Sequence, residues 1–527
     1  MFSKNRTGLL IFLLFSAPLF SFAADIHFLI MPDTVVGTIS PYIYGINDED
    51  PTGSGATLRR LGGNRMTGFN WVNNASNAGS DWKHSSDDWL CAQSKLTDCD
   101  QPGAFVRHFV EENQKAGIDS LVTLPMAGFV AADKNGEVGE NEKAPSKRWK
   151  AVLPRKKGKF TLIPKEKALV VYDDEFVNFL VSNFKTAQDG GVRFYDLDNE
   201  PGLWSETHPR IHPKPTGYWE MVTRTEKLAA AVTKVDPTAQ ILGPVSYGWQ
   251  EFFNLQGSPD SAEINKTEGT FLDFYLKQMR ALEGHDGRRL LHILDLHWYP
   301  EVQASGKRIT AGDTSPESVE ARLQAPRSLW DPGYVEKSWI TQSSTQGKAI
   351  QLIPWLKGKI DLDYPGTGLG FSEYDYGAGD HVSGGLAQAD VLGIFGKYGV
   401  TLAAYWGKLK NYNLAAFHLF RNYDGKGSAF GDTEVSSGSD DITQTSIYAA
   451  TDSKRGGSLW VVVLNKNQKE SVAGKFEIQG KTGFKTWQRF GFDAQSAEIK
   501  PTGSGSLSQN KFDYSLPPLS ASVFVCQ

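Results

Sequence analysis

The chain has 527 residues and a formal net charge of −5, long enough for several domains and without the basic excess that holds nucleic acid. Its 14 Trp, 18 Tyr and 30 Phe are compatible with a carbohydrate binder, because flat apolar rings lie well on sugar rings, although most aromatic side chains serve as core. Beyond the first 23 residues no segment has the uninterrupted apolar run of a membrane span.

Lys4 and Arg6 precede an apolar run over 9–22 that contains Pro18, and Ser21, Phe22 and Ala23 form a small-x-small cleavage site. This predicts a signal peptide over residues 1–23 and a secreted or periplasmic product. No cysteine follows the site, so lipid attachment is not indicated. Residues 24–40 hold a strand candidate at 26–31, assigned to a C-terminal β-domain because chain termini often lie close together.

Eight apolar, β-rich runs follow, at 42–46, 57–61, 120–125, 192–197, 240–245, 293–298, 368–372 and 400–406. Short continuous runs suit strands buried on both faces. Helical spacing of apolar residues appears at 105–116, 174–187, 217–235, 270–282, 349–360 and 385–398. Over 217–235 the apolar face is expected to carry Trp219, Val222, Leu228 and Val232. Alternating strands and helices predict a (β/α)8 barrel over 41–412, irregular between its first two strands. Long inserts at 127–172 and 301–348 follow the third and sixth strands, at the ends where such barrels build function.

From about Asn413 helical patterns give way to short runs at 446–451, 458–464, 474–478, 486–490 and 520–526. Gly, Asn, Asp and Ser clusters separate them, which predicts a β-sandwich over 413–527. The expected fold class is α/β: a TIM-like (β/α)8 barrel with a C-terminal β-sandwich that the N-terminal strand joins. In an oxidising compartment Cys91 and Cys99 are placed to close a short disulfide loop, while Cys526 has no evident role.

The chemistry sits at strand ends. The fourth run stops abruptly at Asp198-Asn199-Glu200-Pro201, and the seventh ends in Ser372-Glu373-Tyr374-Asp375-Tyr376. In a closed eight-stranded barrel these two ends meet across one mouth. Two glutamates flanking one bond are what glycosidic cleavage requires, one to protonate the departing oxygen and one to attack or to activate water. His297 and Tyr299, closing the sixth strand, are candidates to hold a nucleophile ionised and oriented. Trp406 at the end of the eighth is a candidate sugar floor, Asn199 a hydroxyl partner, and Arg65 a cation lowering a nearby carboxylate's pKa. Trp71, Trp204, Trp330 and Tyr374 complete the candidate substrate-binding set. His208 and His212 have an i, i+4 spacing, but Pro209 and Pro213 oppose a metal-binding helix and no Glu follows His208, so a metalloprotease is rejected.

These residues carry a family resemblance. Gly63 to Trp71, Asn73 to Trp82, Leu197 to His212, Gly243 to Trp249, Asp295 to Pro300 and Ser372 to Gly377 closely resemble glycoside hydrolase family 44, the endo-β-1,4-glucanases and xyloglucanases. The resemblance implies retaining hydrolysis with Glu200 as acid/base and Glu373 as nucleophile. It implies no required cofactor, although some relatives hold a structural calcium; no metal ligands are assigned here. Asp375 stands where the family motif is expected to have Asn, which adds negative charge two residues past the nucleophile. The expected partner is β-glucan polysaccharide, acted on by a monomer without nucleic acid or membrane. The rival readings are another β-glycanase, acting on xylan or mannan, and a non-catalytic polysaccharide-binding protein.

Overall fold

The computed structural model describes residues 25–48, 50–453, 457–480 and 483–527; the expected signal peptide lies outside the described residues. Eight parallel strands close into a barrel: Gly45–Ile46, Leu58–Leu61, Asp119–Leu124, Phe194–Leu197, Gln240–Ser246, Ile293–Trp298, Gly368–Tyr374 and Leu402–Tyr405. Each pairs with its neighbours in sequence, and the eighth returns to the first. Every expected run overlaps one of these strands. The first is only two residues long, and among the described residues no helix lies between it and the second.

Six helices lie where the spacing placed them: Ala104–Ala116, Asp173–Phe184, Tyr218–Val235, Phe271–Asp286, Leu352–Asp363 and Val382–Lys397. The insert after the third strand forms a small sheet of Phe129–Ala131, Trp149–Leu153 and Val170–Tyr172. Cys91 and Cys99 are disulfide-bonded with Cα atoms 6.3 Å apart, and Cys526 is free and buried.

The C-terminal sheet has nine strands. Strand Asp25–Thr38 lies inside it, antiparallel to Thr433–Ser439 and parallel to Val472–Ile478. The sheet folds over on itself. Trp487 on one half packs against Phe512 on the other at 5.3 Å between centroids, and Phe476 against Phe524 at 5.1 Å. Strands Thr433–Ser439 and Ser496–Ser506 were not foreseen, because Ser and Gly dilute their alternation; Lys511–Leu516 was missed although Phe512, Tyr514 and Leu516 alternate plainly.

The expected change of texture at Asn413 needs correction, since helix Asn411–Arg421 runs straight across it. Ala415, Ala416, Phe417, Leu419 and Phe420 are all buried. Wedged between barrel and sheet, the helix is apolar on more than one side, and that hides its period. Its Tyr412 packs on Phe492 and donates to the carbonyl of Asp493 at 3.1 Å.

A second tie comes from Tyr448, whose hydroxyl donates to Asp390 Oδ1 at 2.5 Å. Its ring lies so close to helix Val382–Lys397 that a Cβ on Gly393 would fall 2.2 Å from ring carbon Cδ2. A Cβ on Gly396, one turn on, would stay 3.5 Å from its nearest neighbour on Ile39. Overpacking costs about 1–3 kcal/mol, whereas Gly→Ala in a helix with room gains up to about 1 kcal/mol. Gly393→Ala is therefore expected to lower the melting temperature and Gly396→Ala to leave it unchanged or raise it, as read by calorimetry. An equal response from the two variants would count against this packing.

Candidate active site

Residues two apart on a barrel strand point the same way, so the interior can be followed in layers. The floor is Leu58, Leu121, Phe194, Leu242, Ile293 and Leu402. Two residues further up three of these strands come Arg60, Asp196 and Asp295, fully buried charges where the floor is apolar. One step higher is His297. Strand Gly368–Tyr374 shifts register against both neighbours near its end. That shift turns Glu373 into the mouth and Tyr374 outward onto helix Val382–Lys397, where Gln388 donates to its hydroxyl at 2.8 Å.

Arg60 joins these groups. Its Nε donates to Asp196 at 2.6 Å, Nη1 to Glu373 Oε1 at 2.7 Å and Nη2 to Asn199 Oδ1 at 3.0 Å. Tyr299 donates its hydroxyl to the other Glu373 oxygen at 2.8 Å. Burial, with the Glu373 charge beside it, holds the Tyr299 proton far above the ordinary phenol range, so the group remains a donor. Both Glu373 oxygens thus face donors, the environment of a carboxylate anion.

Glu200 differs. It leaves the fourth strand in a left-handed conformation, φ 46° and ψ 58°, and its N–H donates to the carbonyl of Val245, itself at φ 61°. Positive φ is unfavourable for both side chains and marks a backbone held in place by its surroundings. Burial pushes the Glu200 carboxyl up to about 7, a rise that Arg60 opposes and Asp81 adds to. Desolvation, not neighbouring negative charge, is thus the main cause of the rise. Asp375, pushed to about 6 by its own burial, bears on Tyr299 rather than on Glu200.

His297 Nδ1 lies 2.8 Å from Glu200 Oε1 and 3.4 Å from Glu373 Oε2. Burial pushes its pKa down to about 3, so the ring bridges the carboxyls without adding charge. One ligand atom from each of Glu200, His297 and Glu373 falls within 4.8 Å of the others. The set does not fit a structural calcium, which takes six to eight oxygens, and the Arg60 guanidinium already occupies one Glu373 oxygen. What the arrangement can do is hold one proton-donating and one anionic carboxyl on either side of a bond.

Of the expected site residues, Glu200, Glu373, His297, Tyr299 and Asn199 come together here. Trp406 is exposed at the mouth and packs over Gly63, where a Cβ would fall 2.8 Å from the ring. The others do not belong to the site. Arg65 pairs with Asp87 at 2.6 Å and lies over the Trp89 ring at 4.7 Å, so the cation beside Glu373 is Arg60. Trp71 is buried and stacked on Phe176. Trp204 is fully buried, and its indole N–H donates to the carbonyl of Asn199 at 3.0 Å, bracing the catalytic loop from behind. Trp330 stacks on Tyr398 and lines a small cavity between barrel and sheet. Tyr374 is turned outward by the register shift. His208 and His212 bond to the carbonyl of Asn64 and to Glu220, each at 2.9 Å.

Arg60, Asn47 and Trp89 were missed; all three line the 760 Å³ cleft that reaches Trp406. For Arg60 a signal existed: a charge inside the apolar run 57–61, if it points inward, must meet a buried acid.

A family model described as glycoside hydrolase family 44 matches residues 75–302. An endoglucanase A of Paenibacillus lautus is 44% identical over 506 residues, covering 95% of this chain and 72% of that protein. A β-mannanase/endoglucanase A of Caldicellulosiruptor saccharolyticus is 42% identical over 496 residues, covering 91% of this chain and 37% of that protein. The structure of a Paenibacillus polymyxa xyloglucanase with xyloglucan superposes with a TM-score of 0.92 at 45% identity, covering 95% of this chain and 99% of that one.

The two arginines give a direct test of the site. A hydrogen bond to a charged group contributes about 1.5–3 kcal/mol, or roughly 10- to 100-fold in rate. Arg60→Lys keeps the charge but loses the forked geometry, and kcat/KM is expected to fall by that factor. Arg65→Lys, at a partly exposed pair, is expected to stay within about fivefold. Steady-state kinetics on one soluble substrate would decide, and a larger loss at Arg65 would refute the assignment.

Proposed function

Because the chain belongs to glycoside hydrolase family 44, we propose that it is a retaining endo-β-1,4-glucanase acting on cellulose-type glucans and xyloglucan. The observation that carries this is the short reach between the carboxyls of Glu200 and Glu373, within 4.8 Å at their facing atoms. Retaining enzymes hold their carboxyls about 5–5.5 Å apart, whereas inverting ones leave roughly 6.5–9.5 Å for a water.

In the first half-reaction Glu373 attacks the anomeric carbon as the bond to the leaving oxygen breaks, and Glu200 passes its proton to that oxygen. A glycosyl ester on Glu373 results. Glu200, now a carboxylate, takes a proton from water, whose oxygen displaces Glu373 and restores both groups. Arg60 and Tyr299 donate to the two oxygens of Glu373 and hold it aimed. His297 holds Glu200 through a hydrogen bond at 2.8 Å.

The substrate assignment leans on the relatives named endoglucanase and xyloglucanase. The chain corresponds to 37% of the protein that also bears the mannanase name, so that double name does not favour mannan. We further propose export, from the basic and apolar leader at residues 1–23. No helix among the described residues is long and apolar enough to cross a membrane.

Glu200 must be protonated to act as acid, and its carboxyl sits at about 7. As pH rises through that value the acid form is lost, so kcat/KM on polysaccharide is expected to fall with a basic limb near pH 7. An activated aryl glycoside needs no acid in its first step, and its limb is expected to be absent. Glu373→Gln is expected to abolish turnover of every substrate. Glu200→Gln is expected to lose polysaccharide hydrolysis, still cleave the aryl glycoside, and be rescued by azide with a β-glycosyl azide as product. An α-azide from Glu200→Gln would reverse the two roles.

A further inference from the structure

Outside the catalytic cleft a second groove of about 730 Å³ runs along the third-strand insert and helix Tyr218–Val235. That volume is within the roughly 300–1,000 Å³ of ligand clefts. It is lined by Met126, Leu153, Asp173, Trp219, Arg224 and Lys227, among others, but by neither catalytic glutamate. Trp219, expected on the buried face of its helix, is 52% exposed. It is nonetheless fixed, because Phe274 meets its ring edge-to-face at 4.9 Å. A large indole held rigidly with half its surface in solvent is a platform without an occupant in the fold.

The second observation is Asp173. It begins helix Asp173–Phe184 with Asp174 and Glu175, and those two are used: Asp174 accepts from the Lys156 N–H, and Glu175 accepts from the Thr161 N–H and the Lys156 ammonium. Asp173 is only 2% exposed, yet its Oδ1 has no hydrogen-bond partner among the described residues. A buried acceptor at a groove wall without a donor carries a desolvation cost that a ligand hydroxyl would relieve. Burial and the nearby Asp174 and Asp198 charges also push this carboxyl well above its ordinary range, so it can donate as well as accept. The remaining charges do not favour an ionic ligand. Arg224 is held by Glu220 and by the carbonyl of Met126, which leaves Lys227 at the rim.

We propose that this groove is a second glycan-binding site, in which a neutral glucan segment stacks on Trp219 and hydrogen-bonds to Asp173. The identity of the glycan rests on the functional reading above; the existence of the site rests on the groove. The groove also adjoins the catalytic loop. Met126 donates its N–H to Asp198, two residues before Glu200, while its carbonyl accepts from Arg224. One long polymer could then be held at both places, and the linked contacts would reinforce each other.

The test uses full-length protein made inert by Glu373→Gln, run in native gels containing xyloglucan, hydroxyethylcellulose, mannan or polygalacturonate. Adding Trp219→Ala or the isosteric Asp173→Asn is expected to raise the apparent dissociation constant for the glucans by about threefold to tenfold. In the active enzyme the same two substitutions are expected to leave kcat/KM on a short aryl cello-oligosaccharide within about twofold. Unchanged retardation in both variants would overturn the site. So would retardation by polygalacturonate that depends on these residues, because the ligand would then be acidic. If wild-type enzyme cleaves mannan but no glucan, the functional reading fails. Loss of mannan retardation in the two variants would still support the site, with its glycan reassigned.

Discussion

The active site depends on one buried guanidinium. The Arg60 side chain is fully buried, and burial of a cation is tolerated only with matched partners in good geometry. It finds them on two other barrel strands and one loop, through Asp196, Glu373 and Asn199. Those contacts hold the second, fourth and seventh strands at a fixed spacing at the depth of the reacting bond. They also balance charge. Beside Arg60, Asp196 and Asp295 are both buried; burial raises both carboxyls, and the Asp196 charge adds to the rise at Asp295, which goes well above its ordinary range. The rise at Asp295 favours its protonated form, Arg60 pairs with Asp196 and Glu373, and Tyr299 donates to the other Glu373 oxygen.

Most of the frame was legible from residue pattern. All eight barrel runs were short, and apart from the two arginines of 57–61 largely apolar, as strands covered on both faces tend to be. Both glutamates were visible because each closes such a run with a polar motif. Side-chain direction was harder. Glu373 and Tyr374 are adjacent, and only a register shift decides which faces the mouth. Trp71, Trp204 and Trp330 read as sugar platforms by residue type, yet each is packed against other side chains. An aromatic residue carries no mark in sequence of whether its face meets a ligand or a neighbouring ring. Arg60 was overlooked beside Arg59 in a strand of Leu58, Arg59, Arg60 and Leu61, because residue type alone does not say which arginine faces the barrel interior.

The catalytic loop shows how those misread aromatics contribute. Trp204 anchors the Asn199 carbonyl, and Asn199 in turn accepts from Arg60. Glu200 is then held left-handed between that anchor and the Val245 carbonyl. The strain is local, and those hydrogen bonds maintain it.

The position of strand Asp25–Thr38 has a consequence in time. It is among the first described residues to be synthesised, yet its partners are among the last, with His27 bonded to Asp440 across 413 residues. At roughly 5–20 residues per second, it waits about 20–80 s with both hydrogen-bonding edges open. The barrel residues are all made during that interval, so the barrel can assemble while the strand is unpaired. Contacts so distant in sequence make the final step slow and leave the intermediate open to association. Anything that shields the first strand until Thr433–Ser439 and Val472–Ile478 emerge should therefore govern the yield of folded enzyme.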